Sequence, residues 1–258
     1  MSELQVRTMA DFMAEGKEAD LLFWVGSAGS FDDRAKKITR AFVQILNKAG
    51  VNFGVLGSEE SSSGDAAKRA GNEFLFQMQA MMNIEVMNGY NVKRIVTTCP
   101  HSYNTLKNEY KGLGGDYKVQ HHTEFIAELL AEGKLKLTGN LNGTKVTYHD
   151  PCYLGRANNV YDIPRKLIKS LGVELVEMKR SKRLSFCCGA GGAQMFKEAE
   201  NGDQDININR TEEALALNPD IIATGCPFCN TMMTDGVKSV NEGAAEVLDI
   251  AELIAENL

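Results

Sequence analysis

The chain is an internal duplication, so one structural frame must be built twice. Near the end of each half stands almost the same helix, Ile126-Ala-Glu-Leu-Leu-Ala-Glu132 and Ile250-Ala-Glu-Leu-Ile-Ala-Glu256. Upstream, Thr98-Cys-Pro-His-Ser102 matches Gly225-Cys-Pro-Phe-Cys229, and Ser61-Ser-Ser-Gly64 matches Phe186-Cys-Cys-Gly189. At the front, Phe23-Trp-Val-Gly-Ser27 matches Tyr148-His-Asp-Pro-Cys152. Four separated matches at offsets of 124 to 127 residues mark a repeated unit rather than chance.

Each half alternates short apolar, β-branched runs with amphipathic segments. In the first half, strands are predicted at Leu21 to Val25, Val51 to Leu56 and Arg94 to Thr97. Between them lie a helix with Ile38, Phe42, Ile45 and Ala49 on one face, stopped by Gly50, and a long helix over Glu73 to Met87. The second half predicts strands at Lys145 to Tyr148, Val173 to Met178 and Ile221 to Ala223, with helices near Tyr161 to Ser170 and Asn209 to Leu217. Such alternation implies parallel sheets covered on both faces. The expected fold class is α/β: two tandemly duplicated Rossmann-like lobes with parallel sheets, related by a pseudo-twofold axis. The lobes are placed at 1–138 and 139–258, with the Gly/Asn-rich stretch from Gly133 to Gly143 as the boundary.

Composition narrows the function classes. With 43% hydrophobic residues, 24% charged and a net charge of −6, the chain can bury a substantial core. It has no basic footprint for nucleic acid. Its apolar runs are too short to span a bilayer, and the first twenty residues hold no signal-peptide core. The expectation is a cytoplasmic protein, where cysteines serve metal or redox chemistry more often than disulfides. Five of the six cysteines, Cys152, Cys187, Cys188, Cys226 and Cys229, fall in the second half, and Cys99 stands alone in the first. In open parallel sheets ligands gather beyond the carboxyl ends of the strands. Cys152 and Cys226 follow predicted strands, so the five are expected to converge on one sheet edge. Thiolates suit iron–sulfur clusters and zinc alike. Five exceed the four positions of tetrahedral zinc, and an adjacent pair suits one zinc poorly. Gly189, Gly191 and Gly192 would let backbone N–H groups approach cluster sulfides. Pro227 should open a helix whose positive end favours thiolates. Two alternatives stay open: a glutaredoxin-like dithiol at Cys226 and Cys229, and a zinc-stabilised scaffold.

The pattern Cys152…Cys187-Cys188-Gly189…Cys226-Pro-Phe-Cys229 resembles the cysteine-rich CCG domain of heterodisulfide reductase, found in its B-type and catalytic D-type components. It is similar too to the small subunit of anaerobic glycerol-3-phosphate dehydrogenase. The resemblance extends over Phe31 to Ile38, Lys68 to Glu73, Asn104 to Tyr110 and His149 to Gly155. It implies an oxidoreductase or electron-transfer subunit with a non-cubane [4Fe-4S] cluster in each complete motif. Here the first motif is degenerate: Ser27, Ser62, Ser63 and Ser102 stand at cysteine positions, leaving Cys99. Serine hydroxyls are poor soft-metal ligands, so one cluster is expected, in the second lobe. The chain has no ferredoxin-type cysteine run. Its expected partner is therefore a ferredoxin-domain or other iron–sulfur or flavin redox subunit, one that can hold it peripherally at the inner membrane. A first lobe kept only to bind a substrate or partner is a further alternative.

Other residues have plainer readings. Cys99 is expected to be a buried relic, and Met78, Met81 and Met82 to fill the core. His149-Asp150 reads as a strand-end turn or, more sharply, a proton relay beside the cluster. His101, His121 and His122 lack metal-ligand spacing, and Gly189-Ala-Gly-Gly192 lacks the dinucleotide pattern. The basic run Lys179 to Arg183 reads as a solvated loop, with docking of an acidic partner or anionic substrate as the sharper possibility.

Overall fold

The computed structural model describes residues 4–139, 141–198 and 201–258. The chain divides into two compact units, Met1–Leu135 and Lys136–Leu258. Of the boundary stretch, Asn140 lies outside the described residues.

In the first unit the elements run α1 (Met9–Ala14), β1 (Leu21–Trp24), α2 (Gly26–Phe31), α3 (Asp33–Lys48), β2 (Phe53–Gly54), α4 (Asp65–Arg69), α5 (Glu73–Gly89), β3 (Arg94–Thr97), α6 (Pro100–Asn104), β4 (Lys118–His121) and α7 (His122–Ala131). In the second they run β5 (Lys145–Tyr148), α8 (Asp162–Lys169), β6 (Glu174–Val176), α9 (Ile206–Leu215), β7 (Ile221–Thr224), α10 (Pro227–Asn241), β8 (Glu246–Asp249) and α11 (Ile250–Glu256). Each unit holds a four-stranded parallel sheet, ordered β2-β1-β3-β4 and β6-β5-β7-β8. This is the expected α/β architecture, built twice.

The central strands are the most apolar because both their faces are covered. Leu21, Leu22, Phe23 and Trp24 are all buried, as are Ile221 to Thr224. The helices pack by one face. In α3 the stripe Ile38, Phe42, Ile45 and Leu46 is buried, and Asp32 caps the start by accepting from Ala35 N–H. At about 1.5–3 kcal/mol per buried large side chain, these stripes supply much of each unit's stability.

The fourth strand of each sheet, Lys-Val-Gln-His and Glu-Val-Leu-Asp, goes beyond the strands expected from the sequence. Both are short edge strands with a charged first residue, so neither shows an apolar run. Each leads directly into its repeated helix through a capping box, with Glu124 returning to His121 N–H and Glu252 to Asp249 N–H. β2 and β6 are also shorter than expected. The methionine expectation is corrected. Met78, Met81 and Met82 are 45%, 59% and 55% exposed, and α5 instead buries Phe76, Ala80, Ile84 and Met87. Both stripes have helical spacing, so periodicity cannot choose between the faces.

Candidate functional site

In each sheet the chain visits one side of the first strand, then crosses to the other. The reversal lies between β1 and β3 in the first unit and between β5 and β7 in the second. Beyond the carboxyl ends of such a strand pair is where an open α/β sheet offers a crevice. The five cysteines of the second unit arrive there from three loops. Cys152 follows β5, Cys187 and Cys188 lie in the long connection after β6, and Cys226 caps α10, with Pro227 at its first position and Cys229 in its first turn.

The sulfurs are contiguous. Cys188 Sγ lies 3.3 Å from Cys229 Sγ, Cys187 is hydrogen-bonded with both Cys152 and Cys188, and Cys229 with Cys226. None of the five is in a disulfide. Cys188, Cys226 and Cys229 are buried with Ala190, under Met195, Phe228 and Met232, whereas Cys152 and Cys187 are partly open. Donated hydrogen bonds from Cys152 and Cys188, joined by Gly189 N–H at 3.2 Å, hold Cys187 far below the usual thiol range. The hydrogen bond to Cys187, then burial, pushes Cys152 up; Cys187 and burial raise Cys188 against an opposing bond from Cys229, and Cys188, Cys226 and burial raise Cys229. Cys187 is thus the sulfur that gathers hydrogen-bond donors in the nest. Gly189 takes φ +92°, a left-handed turn open to glycine, and that turn aims its N–H at the sulfur.

A ring nitrogen of His149 lies within 4.8 Å of both Cys188 and Cys229 sulfurs. Burial and the neighbouring Arg210 guanidinium push this imidazole down to about 3. Asp150, beside it, faces the other way. Its carboxylate accepts a bidentate pair from Arg165 at 2.7 and 2.8 Å and Lys182 N–H at 2.8 Å. Asp150 thereby anchors the basic loop that leads to Cys187. In that loop Arg180 is bound to Glu213 and stacks on Phe186, and Lys182 pairs with Asp162. Two cations of the basic run are thus engaged within the lobe.

The glutaredoxin-like alternative needs an exposed, low-pKa thiol at the helix start. Cys226 is 0% and Cys229 3% exposed, and the acidified thiol is Cys187. Sequence reasoning misses Arg210, Asp150's partner Arg165, and Glu60 in the first unit. No spacing rule points to them, because they approach the sites from helices or loops remote in sequence.

In the first unit the corresponding crevice is lined by hydroxyls. Ser102 Oγ lies 3.4 Å from Ser63 Oγ, and Gly64 N–H donates to Ser62 Oγ at 3.2 Å. Cys99 is buried at the start of α6, whereas Ser27 is exposed. Glu60 accepts Val25 N–H at 2.9 Å and Gly26 N–H at 2.5 Å. Burial, only partly opposed by those two N–H groups, pushes its carboxyl up to about 7. His101 bonds Asp65 at 2.9 Å, and Asp65 also holds Arg69; burial would raise Asp65, but His101 and Arg69 outweigh it and hold it low.

Known proteins carry the same frame. The cysteine-rich domain family, CCG, matches residues 22–107 and 146–234. An EtfAB:quinone oxidoreductase of Syntrophomonas wolfei is 48% identical over 262 residues, covering 98% of this chain and 37% of its own length. The probable iron-sulfur-binding oxidoreductase FadF of Bacillus subtilis is 49% identical, covering 99% of this chain and 36% of its own. In Methanosarcina barkeri, the D component of the dihydromethanophenazine:CoB–CoM heterodisulfide reductase is 33% identical, covering 93% and 59%. The chain thus spans between 36% and 59% of the length of these relatives.

Proposed function

Because the chain belongs to the CCG cysteine-rich domain family, we propose that it is an iron–sulfur oxidoreductase or electron-transfer unit of the heterodisulfide reductase type. In this reading Cys152, Cys187, Cys188, Cys226 and Cys229 hold one [4Fe-4S] cluster, of non-cubane form, in the second lobe. The observation that carries it is the nest of five contiguous thiols, none in a disulfide, at the sheet's crossover point. The donor set fits the group. Five sulfurs exceed a zinc site's four positions, and Gly189 N–H already donates to a cysteine sulfur, as backbone amides do around iron–sulfur clusters.

When bound, the cluster supplies one-electron transfer. The chain's own residues hold and shield it. Cys188, Cys226 and Cys229 lie on the dry side, under Met195, Phe228 and Met232, while Cys152 and Cys187 face the more open side. Asp150, clamped by Arg165, fixes the loop that delivers Cys187 and Cys188. The first lobe, with one thiol among serines, holds no cluster.

A cluster held there would exchange electrons with a ferredoxin-domain or other iron–sulfur or flavin redox subunit, which can hold the protein at the membrane's cytoplasmic side. The names of the relatives, a quinone oxidoreductase and a heterodisulfide reductase component, support such a chain of carriers. Among the described residues no helix is long and apolar enough to cross a membrane. The test is anaerobic purification with iron, sulfide and zinc measured beside a visible spectrum. Brown protein with about four iron and four sulfide per chain is expected; colourless protein with stoichiometric zinc would overturn the reading.

A further inference from the structure

Arg210, on α9, is fully buried, and a buried cation needs partners on every donor. Its Nη1 donates to Glu213 Oε2 at 2.8 Å and to the Arg180 carbonyl at 2.9 Å. Its Nε donates to His149 Nδ1 at 3.1 Å. Its Nη2 is buried with no hydrogen-bond partner among the described residues. In a guanidinium, Nε and Nη2 donate side by side from one edge. The unfilled donor therefore shares the edge that faces His149. Leaving a buried charged donor unmatched carries a desolvation penalty, which a nearby anion would remove.

The same contact fixes the imidazole. Arginine only donates, so His149 Nδ1 must accept, and the ring's proton resides on Nε2. His149 also has a ring nitrogen within 4.8 Å of the Cys188 and Cys229 sulfurs. With Nδ1 committed to Arg210, Nε2–H is the group left to meet sulfur. The first lobe differs at this position. The residue matching His149 there is Trp24, in the lobe where serines replace thiols. Among the described residues, the direct imidazole–arginine contact at this strand end is thus found in the lobe with the complete cysteine set.

We propose that Arg210 and His149 form a buried donor arm that presents Nε2–H of His149, backed by the Arg210 cation, to the sulfurs of the cluster and raises its reduction potential. The arm rests on the iron–sulfur reading above. His149 is a positioning and tuning residue in this account and not a ligand. A donor aimed at cluster sulfur stabilises the reduced, more negative form over the oxidised one, so removing it makes the potential more negative.

The experiment uses the full chain purified anaerobically, with iron and sulfide content read separately from potential. His149→Phe should keep wild-type iron and sulfide while its midpoint, in a mediated titration followed by EPR, moves negative. His149→Gln, which retains an N–H donor, should fall between the two. A His149→Phe protein with full iron and an unchanged midpoint would overturn the proposal. So would loss of iron from His149→Phe but not from His149→Gln accompanied by strong nitrogen coupling, because that identifies a ligand. Wild-type protein labelled with 15N-histidine tests the arm even if no variant folds. Weak histidine nitrogen coupling to the reduced cluster is expected, and either ligand-strength coupling or none contradicts it. Wild-type protein without iron would instead fail the underlying reading, and the arm with it.

Discussion

The two lobes share a frame and differ in what it holds. In each, the central strand pair ends at the crossover, a left-handed glycine (Gly64 or Gly189) follows a paired motif, and its N–H donates at 3.2 Å to the side chain two residues before. The acceptor is a serine hydroxyl in one lobe and the Cys187 sulfur in the other. The turn therefore does not depend on the ligand. It is built into the backbone: a Cβ at Gly64 would come within 2.7 Å of Phe76. What distinguishes the lobes is the support around the motif. The second lobe has His149 and Asp150, with Arg210 and Arg165 behind them, where the first has Trp24 and Val25. The first has Glu60 on the backbone of Val25 and Gly26, where the second has Ser185 bonded to the Asp150 carbonyl.

Exchanging these supports between the lobes should cost stability at predictable places. The largest effect is expected from Asp150→Val, which installs the first lobe's residue in the second. It removes three hydrogen bonds to a buried carboxylate, two from the Arg165 guanidinium, which keeps Glu177, and one from Lys182 N–H, so unfolding in denaturant should show a loss of about 3–5 kcal/mol. Glu60 comes next. Its carboxyl is raised above its unfolded value of 4.5 to about 7, so the folded state binds the proton more tightly. Stability is then highest below pH 4.5 for this group and falls as pH rises through 7. The whole shift corresponds to about 3 kcal/mol, an upper figure for a carboxyl that keeps some contact with solvent. Glu60→Gln should flatten that fall relative to wild type in pH-dependent denaturation; parallel curves would remove Glu60 from the account. Smallest is Met81→Gln on the exposed face of α5, expected to change stability by under about 0.5 kcal/mol, whereas Phe76→Ala on the buried face should cost about 3–5 kcal/mol. Similar losses from both would mean that the exposed face is covered in solution.

Much of this organisation is legible in the sequence, for identifiable reasons. The central strands are apolar on both faces, so Leu21 to Trp24 and Ile221 to Thr224 stand out. The repeat makes Cys152, the Cys187–Cys188 pair and Cys226 comparable with Ser27, Ser62, Ser63 and Cys99. The edge strands β4 and β8 are hidden because a four-residue strand opening on Lys118 or Glu246 has no period to detect. The support residues are hidden for another reason. Arg210 lies 61 residues from His149 and Arg165 lies 15 from Asp150, so only the folded chain shows that they meet. His149-Asp150, one unit in the sequence, is split by the fold: the imidazole faces the sulfurs and the carboxylate faces Arg165.

A cluster confined to the second lobe should depend on that lobe's cysteines and not on Cys99. Iron and acid-labile sulfide should be counted in full-length Cys187→Ala and Cys99→Ser, both prepared anaerobically beside wild type. Cys99→Ser is expected to keep about four iron and the wild-type spectrum while Cys187→Ala loses most of both. Wild-type iron in Cys187→Ala, or its loss from Cys99→Ser, would contradict it.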